Sequence, residues 1–174
     1  MPERTPTKST NLDRSGSDAL EWSRAHAGLT QGSSGPDVTH FLGTVGPDGR
    51  PHVAGVGAAW LDGDFYFTSS LAARKASNLA ANPACTIAVK MEGIDLTLAG
   101  TAEQVSDAAT LERIAAIYRE GGWPAEVSGD ALTAPYSAPS AGPPPWDVYV
   151  MTPHTAFGVA TKEPHGATRW RFAE

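Results

Sequence analysis

The residues of this chain best suited to chemistry are Thr68-Ser69-Ser70 and, a few positions on, Arg74, Lys75 and Asn78. They lie where a strong β-former run, Phe65-Tyr66-Phe67-Thr68, gives way to a helix-like segment. The first amides of a helix lack partners and carry partial positive charge, so that end draws an anion. Thr68, Ser69 and Ser70 add hydroxyl donors there. Arg74 lies four residues and Lys75 three residues before Asn78, so all three can share one helix flank. Arginine offers a phosphate a planar fork, and lysine a point charge. The same residues also fit an ordinary capped amphipathic helix with solvated Arg and Lys. The pattern is less specific than a glycine-rich nucleotide loop, so residue types alone leave both readings open.

The elements that must position these residues can be read in order. Residues 1–16 read as a mobile polar tail, and 17–174 as a single domain. A short helix is expected from about Asp18 to Ala27, with Asp18 as its cap and Glu21 three residues later. His40–Val45 is a strand, Pro47-Asp48-Gly49-Arg50 a turn, and Pro51–Trp60 a returning strand rich in small residues. Asp62-Gly63 makes the next turn before the Phe65–Thr68 strand. A helix over Leu71–Ala81 follows, capped by Ser69 or Ser70 and ended by Asn82-Pro83. Cys85–Met91 and Ile94–Val105 are strands. Asp107–Glu120 is a helix whose stripe of Leu111, Ile114, Ala115 and Tyr118 reads as core packing. Gly121-Gly122 and Pro124 stop it. Gly129–Pro145 is too rich in Pro, Ala and Ser for a helix or a central strand. Trp146–Thr152, Thr155–Thr161 and Thr168–Phe172 read as closing strands. Short turns without βαβ alternation predict a mostly β fold with α-helices: a six- to eight-stranded antiparallel barrel with two or three flanking helices.

Composition narrows the function. The 174 residues are 41% hydrophobic and 18% charged, a globular balance. The net charge of −6 and the scattered Arg and Lys argue against a nucleic-acid surface. No apolar run is long enough to span a bilayer, and Met1–Asp18 lacks a secretory core. With one cysteine, Cys85, in an apolar run, the chain suits a reducing compartment, and the expected location is cytoplasmic. His154 and His165 read as surface residues in separate turns. No histidine or cysteine spacing suggests a metal site. No nucleophile elbow, Walker loop or Ser-His-Asp pattern stands out, so no catalytic side chain is assigned. Trp123, Trp146 and Trp170 can pack the barrel, or one of them can stack on a planar ring.

Asp48-Gly49-Arg50-Pro51-His52-Val53, Phe65-Tyr66-Phe67-Thr68, Arg74-Lys75, Asn78-Leu79 and Asn82-Pro83 together resemble the pyridoxamine-phosphate-oxidase-like split barrels. Within them the pattern is most similar to the flavin/deazaflavin oxidoreductases of actinobacteria. The likeness covers about His40 to Val105, with a looser echo at Gly166–Phe172. It implies a homodimer, with cofactor held in clefts between subunits, acting on a small-molecule substrate. By position it implies that Val53, Ala54, Gly55 and Val56 lie against the cofactor ring. His52, at the start of that strand, fits a solvent-edge histidine without a function, or one that hydrogen-bonds the cofactor or donates a proton. The resemblance further implies that Thr68, Ser69, Ser70, Arg74, Lys75 and Asn78 hold the phosphate, and that Trp170 and Arg171 add a contact.

Three departures from the family pattern shape the expectation. The strand Pro51–Trp60 carries no arginine, which weakens the case for vitamin B6 oxidation and for standard FMN binding. Gly55 and Gly57 stand where many relatives carry Pro and Trp, which opens the pocket. The insert from Tyr136 to Trp146 is long enough to form a lid, with Tyr136 over the substrate. Together these rank coenzyme F-420, with its phosphodiester and polyglutamate tail, above FMN. The implied activity is hydride transfer from the reduced deazaflavin to a planar conjugated molecule. FMN oxidoreduction, non-catalytic F-420 carriage and a plain structural dimer with a vestigial pocket are the alternatives.

Overall fold

The computed structural model describes residues 4–32, 38–139 and 141–173. The chain runs β1 (Lys8–Asn11), α1 (Trp22–Gly32), β2 (His40–Val45), β3 (Pro51–Val56), β4 (Ala58–Leu61) and β5 (Asp64–Ser69). It continues α2 (Arg74–Ala81), β6 (Ala84–Met91), β7 (Ile94–Val105) and α3 (Ala108–Glu120), then β8 (Glu126–Ser128), β9 (Ala131–Thr133), β10 (Trp146–Ala160) and β11 (Ala167–Arg171). Among the described residues every strand pairing is antiparallel, and the architecture is the expected split barrel with three helices. Short strands β1, β8 and β9 add to the anticipated set.

The fifteen-residue β10 is the spine of the sheet. Along one edge it pairs with β9 at Trp146–Asp147 and with β7 from Val148 to Ala160, and along the other first with β5 and then with β11. The two strands expected at Trp146–Thr152 and Thr155–Thr161 are therefore one, with only a register shift between Pro153 and Thr155. Proline lacks an amide to donate, and a bulge tolerates that loss without ending the strand.

The sheet does not close. From β10 one path runs through β7, β6 and β2 to β3, and the other through β5 to β4. β3 and β4 are thus the two lips of the split, joined only by Gly57. The sequence suggests one strand over Pro51–Trp60. The structure breaks it because β3 pairs with β2 while β4 pairs with β5. The β4–β5 turn uses Asp62 at φ 55° and Gly63 at φ 92°. Paired positive φ angles match the right-handed twist of a hairpin, as the Asp-Gly pair suggested.

Two apolar clusters lie on the two faces of this sheet. The barrel interior holds Leu42, Phe65, Phe67, Ile87, Leu98, Met151 and Trp170. The second cluster packs Leu111, Ile114 and Ala115 of α3 against Val105, Leu132 and Val148. The α3 stripe is therefore core, as its spacing implied. Asp107 accepts from the Thr110 amide at 2.8 Å and caps that helix.

Two expectations at the N-terminus are corrected. Lys8–Asn11, inside the stretch read as a polar tail, is a strand paired with β11. Edge pairing uses main-chain groups, so hydropathy does not reveal it. The first helix spans Trp22–Gly32 rather than Asp18–Ala27, and Trp22 meets Trp170 edge-on at 5.3 Å. Tertiary aromatic packing, not the Asp18 cap, sets where this helix begins. No helix of the described residues is long and apolar enough to cross a membrane.

Candidate functional site

A cleft of about 580 Å³ opens at the split in the sheet. Its strand side is the run Gly55–Ala59, and Thr68 and Lys75 line it from the β5–α2 region. Ile117, Tyr118 and Trp123 come from α3 and the turn after it, and Trp146 from the start of β10. Tyr136, Ala138, Pro139 and Ala141 of the long insert complete it. The volume falls within the usual range for small-molecule and cofactor sites.

Small residues make the strand side a backbone surface. A Cβ on Gly57 would meet nothing within 4 Å, and one on Gly55 would meet only Thr39 Cγ2, at 3.7 Å. A larger residue at either position would therefore project into open space and narrow the cleft. The Gly57 carbonyl, outside the ladder, accepts from the Tyr118 hydroxyl at 3.0 Å. This bond ties α3 to the joint between the two lips. Burial pushes the Tyr118 phenol up, with the Thr68 hydroxyl partly offsetting it, so Tyr118 is a neutral donor at ordinary pH.

Lys75 is half-buried at the cleft edge, and burial lowers its pKa. Among the described residues it makes no ion pair or hydrogen bond. A desolvated cation without an anion is an unfavourable arrangement that a bound phosphate or carboxylate would relieve. Arg74 is exposed and does not line the cleft.

The remaining residues picked out on sequence divide between site and scaffold. Gly55, Thr68 and Lys75 line the cleft; His52, Val53, Ala54, Ser69 and Ser70 flank it in sequence without lining it. Ser69 is buried and its hydroxyl donates to the Ser70 carbonyl at 3.0 Å. Ser70 Oγ accepts from the Ala72 amide at 3.2 Å, which shapes the turn ahead of α2. Neither serine caps the helix: the N-cap is Ala73, without a side-chain bond. The chain spends one more turn before Arg74 than the Leu71 start suggested, which carries both hydroxyls past the helix end.

Asn78 is 2% exposed, and its Nδ2 donates to Thr44 Oγ1 at 3.0 Å. It fastens α2 to β2 instead of sharing an outer flank with Arg74. Trp170 is fully buried in the barrel, where Gly158 makes room for it: a Cβ there would lie 2.7 Å from the indole. Arg171 is exposed on β11, which pairs with the far half of β10. The structure brings neither to the cleft.

Of the aromatic cleft residues, Tyr118 escaped the sequence reading, whereas Trp123, Trp146 and Tyr136 were among its candidates. Tyr118 sits in the α3 stripe but at its margin, where the helix meets the lip of the split. Trp123 packs edge-on to Tyr118 at 4.7 Å and lies 5.5 Å from Trp146, which in turn lies 6.4 Å from Tyr136. Four aromatic rings thus adjoin in series. Their adjacency was not readable from the sequence, which offered Trp123, Trp146 and Tyr136 only singly.

Two buried groups outside the cleft, Cys85 and His40, are chemically quiet. Burial pushes the Cys85 thiol up to about 12, so it is not a thiolate at neutral pH. His40, buried in the barrel, is pushed down to about 4 and is neutral there. The described residues contain no group of three His, Cys, Asp or Glu side chains able to hold a metal ion.

Comparison with known proteins agrees with this geometry. The model of the pyridoxamine 5'-phosphate oxidase family matches residues 37–160. Among solved structures, a pyridoxamine 5'-phosphate oxidase-related, FMN-binding protein of Nostoc punctiforme is 19% identical, with a TM-score of 0.55 over 84% of this chain and 87% of that one. PhzG from Burkholderia lata, solved with tetrahydrophenazine-1-carboxylic acid, is 14% identical, with a TM-score of 0.55 over 87% of this chain and 88% of that one. At these identities the likeness speaks for the fold alone. An F420 reductase is 26% identical over 68% of this chain and 88% of that one, but its TM-score of 0.48 is too low to carry weight. No protein of curated function matches the chain. The family match spans the strands of the split, the cleft and all of β10, and on that ground this chain belongs to the pyridoxamine 5'-phosphate oxidase family.

Proposed function

We propose that this protein is an oxidoreductase that binds a flavin-type cofactor at the split, coenzyme F-420 ahead of FMN, and reduces a planar conjugated small molecule. The observation that carries this reading is Lys75: a half-buried cation without a partner among the described residues, in a cleft that Thr68 also lines and that Gly55 and Gly57 leave open on its strand side. Lys75 and Thr68 would hold the anionic group, with Arg74 giving longer-range attraction from outside the cleft. The backbone of Gly55–Gly57 would lie against the flat ring. When bound, the cofactor supplies the hydride, and the protein supplies position and electrostatics. The preference for F-420 rests on two features of this chain. Pro51–Trp60 contains no arginine to grip a monophosphate, and the two glycines leave room for a larger, tailed ligand.

The reading includes a homodimer. Phe41 and Val53 are 51% and 62% exposed, and Phe157 and Val159 stand out on the same outer face of the sheet. Phe41, Ala88, Thr97 and Phe157 are in register across four strands, so the face between the large residues is small and flat. A second copy would cover it. Arg171 stands on this face, in register with Thr155, Ala99, Thr86, Gly43 and Val53. In that arrangement its contact with cofactor would be made across the interface.

Parallel titration of the protein with F-420 and FMN tests the assignment. Saturable binding of F-420, lost in the Arg74→Ala/Lys75→Ala double variant, is the expected result. Tighter binding of FMN would move the protein to the flavin branch. Affinity unchanged by the double variant would remove the site. Turnover against quinones and enones separates an enzyme from a carrier.

A further inference from the structure

Three cations stand together at the β1 edge of the sheet, far from the cleft in strand order. Lys8 of β1 lies directly opposite Arg171 of β11, and Thr10 opposite Arg169. Directly paired residues share a face, as do residues two apart on one strand, so Lys8, Arg169 and Arg171 are on the same face. Like charges placed directly opposite weaken a sheet. None of the three side chains makes an ion pair or hydrogen bond among the described residues, whereas Arg4, Arg50, Arg113, Arg119 and Lys162 each pair with a carboxylate. The chain has 19 acidic residues against 13 basic ones, so the clustering of free cations here runs against its overall balance. The rows that run from Arg171 and Arg169 across β10, β7, β6 and β2 to β3 contain no carboxylate. The nearest acid along β1, Asp13, accepts from the Ser15 and Ser17 amides.

This strip borders an open edge. β1 ends its path through the sheet and, among the described residues, pairs with β11 alone. One row of its main-chain amides and carbonyls therefore has no strand beside it. Lys8, Ser9 and Asn11 are exposed. A lysine on an edge strand ordinarily guards against pairing with like edges. That accounts for Lys8, but not for the two arginines on β11, which is already paired on both sides. The spacing suits an extended chain. Alternate residues of a strand lie about 7 Å apart on one face, and directly opposed residues of neighbouring strands about 5 Å apart. A strand with acid at alternate positions would set one carboxylate opposite Lys8 and the next opposite Thr10, with Arg171 and Arg169 one strand behind.

We infer that the free edge of β1 docks an extended acidic segment of a partner protein as an added strand, its carboxylates on Lys8, Arg169 and Arg171. A second copy of this chain is the wrong occupant of that edge, because it would bring three further cations. The inference is independent of the cofactor reading, since it uses an edge on the opposite side of the sheet from the split.

Fluorescence anisotropy of the full chain with a short fluorescein-labelled peptide of alternating glutamate and threonine tests the inference. Saturable binding that weakens as salt rises is expected. A peptide with lysine in place of glutamate should not bind. The glutamate peptide with N-methylated amides keeps every charge but has no main-chain donors for a ladder, and it should fail as well. Lys8→Glu sets a carboxylate opposite Arg171, so the denaturation midpoint should hold. Peptide binding should weaken by about three- to ten-fold, the scale of an exposed ion pair lost and a repulsion gained. Equal binding of the N-methylated peptide would reduce the strip to diffuse charge attraction and overturn strand addition. Absence of glutamate-peptide binding, or affinity unchanged by Lys8→Glu, would overturn the inference outright. So would displacement of the peptide by F-420 and not by FMN, which would give the strip to the anionic tail of the cofactor.

Discussion

α2 and α3 reach the same cleft from different sides of the split and bring opposite chemistry. α2 delivers Lys75 and, through buried Asn78, bonds itself to Thr44 of β2. α3 delivers Ile117 and Tyr118, with Trp123 just beyond its end, and bonds itself to Gly57. Each helix therefore carries a polar side chain that fixes the scaffold and a group that faces the cleft. On α2 the fixing residue is an amide and the facing residue a cation. On α3 a single residue, Tyr118, does both. A residue can thus be core by periodicity and site by position when its helix borders a gap in the sheet.

The largest expected effect tests the cation of α2. Lys75→Ala should weaken binding of a phosphate-bearing cofactor by about ten- to a hundred-fold, the scale of a charge-assisted hydrogen bond. Titration reads it, and a loss of equal size in Arg74→Ala would erase the distinction between the two cations. Asn78→Ala comes next. It leaves Thr44 without its buried partner and should cost about 1–3 kcal/mol in chemical denaturation. A loss of cofactor affinity without a loss of stability would show Asn78 to be a ligand residue instead.

Tyr118→Phe is expected to be milder, at about 1 kcal/mol of stability, because it removes one hydroxyl and keeps the ring. An unchanged denaturation midpoint would mean that α3 does not brace the joint at Gly57. The smallest effect is one of pH. Burial lowers the Lys75 pKa in the free protein, and a bound anion would raise it again. Cofactor affinity should then hold steady below that lowered pKa and begin to fall as pH rises through it, earlier than for an ordinary lysine. In the free protein the charged lysine opposes folding below its lowered pKa. That penalty is relieved as pH rises from there toward the unfolded value, so stability attributable to this group increases with pH in that window. A flat affinity profile up to the ordinary lysine range would place Lys75 outside the binding site.

Much of the barrel was legible in the chain. The Asp62-Gly63 hairpin, the alternation through Ile94–Val105 and the apolar run around Cys85 each carry a local signal. The α3 stripe was equally readable. What was not legible involved partners distant in sequence. Lys8–Asn11 forms a strand only because β11 offers it an edge, and Trp170 is core only because Gly158 and Trp22 receive it. Within the candidate site, the strand–helix junction after Phe67 was visible from residue types, and so was Lys75. The division of labour between Lys75, Arg74 and Asn78 was not. One helical turn decides it, and the start of α2 is set by the Ser70 turn, not by a cap.

By itself the sequence determined a mostly β chain with an anion-suited junction at Thr68–Asn78 and a glycine-opened strand, because turn chemistry, β-propensity and residue type act locally. Only the tertiary structure decided that the strand breaks at Gly57 and that the break is where the sheet fails to close. It alone brought the aromatic residues of Tyr118–Trp146 to that break. Those outcomes depend on which strand each segment pairs with, and pairing is a contest among distant partners that no local pattern encodes.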